Sequence, residues 1–198
     1  MYQYTWCHGS YWEFEAITLE VAAEKILDAW QKACEFYLYD RYNGMPINDR
    51  STLATWEIQL FPVYKLLMGY ALENIIKGII ICQMSLNDPD SIKKENLEDI
   101  KFKLKGSEQP CKITVHGLAN NLLNAEVVNI VVLDKEKPLL KDLDACIIWG
   151  GKYPAPKNNK SNEPFIPMGG AVVLNPKLAE PIKAIYDKWL DELHKIIK

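Results

Sequence analysis

The stretch LFPVYKLLMGYALENIIKGIII, residues 60–81, constrains the fold more than any other part of the chain. It is long enough to cross a bilayer, but Lys65, Glu73, Asn74 and Lys77 interrupt it, and four such interruptions in one span are costly in lipid. A helix that is apolar on nearly every side and lies outside a membrane belongs at the centre of a bundle. The remaining elements are expected to pack around it, with no membrane contact.

Helical spacing recurs on both sides of this segment. From Thr18, placed as an N-cap, Leu19, Ala22, Ile26, Trp30, Ala33 and Tyr37 return at three- and four-residue steps to about Tyr42, where Asn43-Gly44-Met45-Pro46 stops the run. The central helix is expected from Ser51 or Thr52 to Gln83, bent at Pro62 by the missing N–H and the ring clash. Thr114 caps an expected third helix carrying Leu118, Leu122 and Ala125, and Asp134 a fourth carrying Leu139, Leu140, Leu143 and Ile147. A last helix from about Pro176 to Ile197 turns Leu178, Ile182, Ile185, Trp189, Leu193 and Ile196 inward.

Three segments fall outside this pattern. Residues 1–17 read as an aromatic-rich extended arm, and 85–111 as a charged surface excursion with a short helix around Asp90–Phe102. Residues 150–176 read as a long ordered Pro/Gly-rich loop with a short strand at AVVL. The expected fold class is all-α: one domain over residues 1–198, built as a bundle of about five main helices.

The chain's 198 residues, 48% of them hydrophobic, can form a core without staples. Its five cysteines are odd in number and never form a C-x-x-C pair, so they read as reduced thiols packed as small hydrophobes, and the expected compartment is cytoplasmic. The opening MYQYTWCHGSYWEFE lacks the basic-then-apolar order of a signal peptide. A net charge of −3, with Arg41 and Arg50 the only arginines, argues against strong nucleic-acid binding driven by charge alone. A local basic patch stays open.

Two constellations and one histidine carry the chemistry. Glu73 and Lys77 lie at i and i+4, acid first, on the apolar helix, where a charge is kept only if matched. With Asn74 they form either a buried pair that fixes helix register or the polar floor of a pocket. His116, in KITVHGLANNLL, is expected at the second position of the third helix, where the positive end of the dipole favours a neutral ring. It is an acid–base group in a cleft or a ring that makes one hydrogen bond. Trp149, Lys152 and Tyr153, in IIWGGKYPAP, anchor a loop or form the rim of a site for an anionic or base-like ligand. Cys7-His8 lacks further ligands, so no metal is expected, and with no phosphate loop or GxGxxG no cofactor is expected either.

Together, YALENIIKG, a charged excursion, HGLANNLL and a helix closing on W-G-G-K-Y-P-x-P resemble the HEPN superfamily over roughly residues 52–157. The likeness lies in Glu73 and Lys77 on one helix and in His116 and Leu118 opening the next. It implies an all-α bundle, a homodimer, a protein or nucleotide/RNA partner, and a setting such as a toxin–antitoxin or defence system. Ribonucleases of that superfamily carry R-x(4–6)-H, which is missing here. The nearest substitute is Lys112, four residues before His116, and lysine lacks the planar fork that grips a phosphate. The expected function is therefore a non-catalytic binding or regulatory module. The alternatives are a weak metal-independent ribonuclease, with His116 as acid or base and Lys112 or Lys152 on the phosphate, and a nucleotide or small-molecule pocket.

Overall fold

In the computed structural model, residues 7–42, 60–93, 96–119, 121–150, 177 and 179–197 are described. Four α-helices dominate them: α1 (Gly9–Tyr42), α2 (Leu60–Asn87), α3 (Lys137–Ala145) and α4 (Glu180–Ile197). A two-stranded antiparallel hairpin, β1 (Lys101–Lys103) with β2 (Pro110–Lys112), joins them, in register Lys101 to Lys112 and Phe102 to Cys111. The described chain is thus mostly helical, as expected, with the hairpin as its departure.

α2 is the axis of the packing. From Met68 to Ile81 every residue except Tyr70 and Asn74 is buried, which is what a helix apolar on all sides requires. By length and composition α2 also suffices to cross a membrane, but here its surface is taken up by neighbours. α1 covers one side with Trp12, Ala16, Ala23, Leu27 and Trp30, and α4 another with Ile182, Ile185, Tyr186, Trp189 and Leu193. α3 closes a third side. Gly69 permits this approach, because a Cβ there would stand 2.8 Å from Cγ1 of Ile147.

Several boundaries differ from expectation. α1 starts at Gly9, so Thr18 lies inside it and Tyr11, Trp12 and Phe14 are helical rather than part of an extended arm. Its inner stripe runs through Ala23 and Leu27, one position on from the expected Ala22 and Ile26, because Trp12 and Ala16 extend the stripe toward the N-terminus and set its phase. α2 runs on to Asn87, and Pro62 is the third residue of its described span, with residues 51–59 before it outside the described residues. The expected helix around Asp90–Phe102 is replaced by single 3-10 turns at Pro89–Ser91 and Leu97–Asp99, followed by β1. The Asp88 carboxylate starts the first turn by accepting the Asp90 N–H, a local bond that competes with helix propagation.

The expected third helix is absent among the described residues. Residues 113–119 and 121 run as turns and irregular chain, and a 3-10 turn at Leu122–Asn124 follows. Leu118, Leu122 and Ala125 are still fully buried, so the spacing marked burial correctly and helix wrongly. α3 and α4 carry the expected inward residues, but α3 is preceded by Glu136 at the N-cap position instead of Asp134, whose carboxylate pairs with Lys137 in solvent. The end of α3 widens into a π turn, Cys146–Gly150. The start of the second expected helix at Ser51 or Thr52, most of the 150–176 loop with its strand, and Leu178 lie outside the described residues.

Candidate functional site

The chain between β2 and the turn at Leu122 is pinned onto α2 and α3 by two buried carboxylates. On α2, Glu73 Oε1 accepts Lys77 Nζ–H at 2.7 Å and lies 2.9 Å from His116 Nδ1, while Oε2 accepts the Gly117 N–H at 3.3 Å. On α3, Asp144 accepts the Leu118 and Ala119 N–H groups, the latter at 3.1 Å. Glu73, Lys77 and Asp144 are all at most 5% exposed. Burial on this scale is tolerated only because each charge has hydrogen-bonding partners. Lys77 also stands 5.8 Å over the Trp12 ring, on the α1 side of the pair.

These bonds explain why no helix forms after Thr114. Gly117 has φ of +109°, outside any right-handed helix, and a Cβ there would sit 3.0 Å from Asn121 Nδ2. Beyond it the backbone closes wide i to i−5 bonds, Leu122 N–H to Gly117 O and Leu123 N–H to Leu118 O, before tightening to 3-10 bonds at Asn124 and Ala125. Asn121 and Asn124 donate side-chain N–H groups to the carbonyls of His116 and Ala119, supplying locally what a helix would have supplied along its axis.

His116 is therefore not at a helix N-terminus, and the expectation of a neutral ring from the helix dipole is withdrawn with the helix. What orients the ring is the Glu73 carboxylate. A carboxylate accepts, so Nδ1 carries the hydrogen and, in the neutral ring, Nε2 is left as an acceptor on the opposite edge. The side chain is 51% exposed, and its ring meets Tyr70 edge-on at 6.1 Å between centroids. The arrangement is a carboxylate-oriented imidazole in a half-exposed side chain, with the second nitrogen free of the carboxylate. It can accept a hydrogen bond, and it can take a proton.

Of the residues singled out in the sequence, the structure joins Glu73, Lys77 and His116 in one chain of contacts. Asn74 is partly buried beside Glu73, but its side chain makes no hydrogen bond among the described residues. Lys112 is exposed on β2, with its ammonium 3.5 Å from Glu98, so no contact carries it to the imidazole. The side chain of Trp149 and all of Lys152 and Tyr153 lie outside the described residues. Sequence reasoning missed Tyr70, Gly117 and Asp144. Asp144 had a signal: it stands four residues after Leu140 on the inward stripe of α3, where a charge has to have a partner.

Three of the five cysteines are poorly suited to be a competing nucleophile. Burial pushes the Cys34 thiol up to about 11 and also raises Cys82 and Cys146, away from the thiolate that nucleophilic chemistry needs. Cys7 donates to the Ile92 carbonyl at 2.8 Å. All five are free thiols. No cluster of three metal-ligating side chains occurs among the described residues.

No known family, curated protein or solved structure matches the chain, so the likeness to HEPN domains rests on the residues quoted for it.

Proposed function

We propose that the chain is a HEPN-like helical binding module, a cytoplasmic homodimer, whose ligand-facing group is His116. One observation carries this reading: Nδ1 lies 2.9 Å from Oε1 of Glu73, a carboxylate only 2% exposed, while the ring itself is half in solvent. Burial and the Lys77 ammonium hold that carboxylate in place, and the carboxylate holds the ring, so the entropy of orienting the imidazole is lost on folding rather than on binding. Nε2 then suits a ligand that brings a hydroxyl or an N–H, such as the ribose or base edge of a nucleotide.

The same geometry favours a second reading. A histidine oriented through Nδ1 by a carboxylate is the arrangement of a general base, and in RNA the proton to remove is that of the 2′-hydroxyl. Of the two lysines that reading names for the phosphate, Lys112 lies in an exposed pair with Glu98 and no contact among the described residues joins it to the imidazole, while Lys152 lies outside the described residues.

One pair of measurements separates them. Thermal stability is followed against a panel of nucleotides, nucleosides and short RNAs, and the RNAs are then analysed for cleavage, in the wild type and in His116→Ala. The binding module predicts a ligand-dependent rise in melting temperature that His116→Ala removes, with RNA intact. Cleavage lost in His116→Ala at an unchanged melting temperature would replace it with the ribonuclease. Neither a shift nor cleavage removes both.

A further inference from the structure

We propose that Asp144 is the positioning residue of this site, acting on the His116 ring through the backbone of residues 117–119. The inference rests on the reading of His116 as the working group. The path is short and made of fixed parts: Asp144, on α3, takes the Leu118 and Ala119 N–H groups on its two oxygens, and Glu73, on α2, takes the Gly117 N–H and Nδ1 of His116. The ring is thus held at its own nitrogen by one carboxylate and at the next three peptide groups by both.

The division of labour follows from what each carboxylate has to satisfy. Glu73 already accepts a lysine ammonium, an imidazole N–H and, at 3.3 Å, a backbone N–H. Its share in Gly117 is the longest of the set, so it is ill placed to take the Leu118 and Ala119 N–H groups as well. Asp144 is 4% exposed and, among the described residues, its carboxylate meets backbone N–H donors and no cation. Removing it leaves one buried and one part-buried donor without that partner next to the peptide that fixes the ring, and the turn has to shift to find them others. Gly117 adds to the constraint: with φ of +109° and Asp144 Oδ1 3.4 Å from where a Cβ would stand, the backbone follows the carboxylate closely. The cited bonds place Asp144 on the loop and not on the imidazole, which makes it a positioning rather than a catalytic residue.

The test reads the ring itself. Long-range proton–nitrogen spectra of the full labelled chain identify the tautomer of His116, assigned by its loss in His116→Gln. In the neutral ring, the wild type is expected to show one tautomer, protonated on Nδ1. In Asp144→Asn, which keeps one accepting oxygen and turns an NH2 toward the second backbone N–H, the signals are expected to move to an averaged mixture of both tautomers. Asp144→Ala is expected to go further. Trp30→Phe, which loosens α1 against Phe61 of α2, twelve residues before Glu73, controls for lost stability and should leave the tautomer unchanged. A folded Asp144→Asn variant with a ring still wholly protonated on Nδ1 overturns the proposal, and that variant decides the matter if Asp144→Ala does not fold. Because no ligand is present, failure of nucleotide binding would sink the proposed function while leaving this role standing. An unchanged tautomer in Asp144→Asn would sink the role of Asp144 alone.

Discussion

Glu73 and Glu136 do similar work at two places in the molecule and end in different outcomes. Each is a buried carboxylate that accepts a lysine ammonium and a backbone N–H from irregular chain: Lys77 and Gly117 for Glu73, Lys188 and Leu133 for Glu136. Glu136 ties α4 to the segment before α3, and its other oxygen returns to the same ammonium at 2.9 Å. The bonds there end on a backbone N–H and on an ammonium that goes on to the Val131 carbonyl, all of it holding one segment to another. The bonds of Glu73 end on a half-exposed imidazole. A buried, paired carboxylate is thus ordinary architecture by itself, and what sets Glu73 apart is that its chain of bonds reaches a half-exposed imidazole, a group that can both accept and donate a proton.

The comparison can be broken by removing each acid. Glu73→Gln strands the Lys77 ammonium among apolar side chains and is expected to cost about 3–5 kcal/mol in denaturant unfolding. Replacing Lys77 by Met in the same chain should recover much of that, since the stranded charge goes with it. Gly117→Ala forces a β-carbon into a left-handed backbone and toward Asn121, at about 1–2 kcal/mol, and should displace the ring as well. Glu136→Gln is expected to cost about 1 kcal/mol, because the Lys188 side chain, 34% exposed, can turn to water.

Acid sharpens the contrast. Burial pushes the Glu136 carboxyl up, but the Lys188 and Leu133 hydrogen bonds and the charges of Lys188 and Lys135 outweigh it and hold the group below its ordinary value of 4.5. A carboxyl lowered in the folded state stabilises fully above its unfolded value, and that contribution is lost as pH falls through the folded one. Wild type and Glu136→Gln should therefore converge in melting temperature as pH drops from about 5 to about 3. At the small end, Lys112→Ala should change neither stability nor ligand response, since its side chain makes only an exposed pair with Glu98 among the described residues. A lost ligand response there would return Lys112 to the site.

How much of this was legible in the residues depends on the kind of interaction. α2 was plain because an unbroken apolar surface with one i, i+4 ion pair has few alternatives to the centre of a helical fold. The inner face of α4 was plain for the same reason, with Ile182, Ile185, Trp189 and Leu193 at helical spacing and buried. The contact between His116 and Glu73 was also within reach, because a buried acid needs donors and few were at hand. The turn at residues 113–125 was not. Leu118, Leu122 and Ala125 have helical spacing, but local spacing cannot show that carboxylates from α2 and α3 will capture three successive N–H groups, or that Gly117 will adopt a positive φ to let them. The hairpin was hidden likewise: KFK and PCK are too short for an alternating pattern, and their pairing is fixed by the burial of Phe102.

The central claim is that His116 presents Nε2 outward because Glu73 holds Nδ1. His194 supplies the internal reference, because its Nε2 is the engaged nitrogen, 2.7 Å from Glu13 Oε1, in a side chain of similar exposure. The most direct measurement is the rate at which each histidine of the native protein is carbethoxylated by diethyl pyrocarbonate, read by mass spectrometry of the peptides. The account predicts that His116 reacts several-fold faster than His194. A His116 that is protected as well as His194, or better, would contradict it.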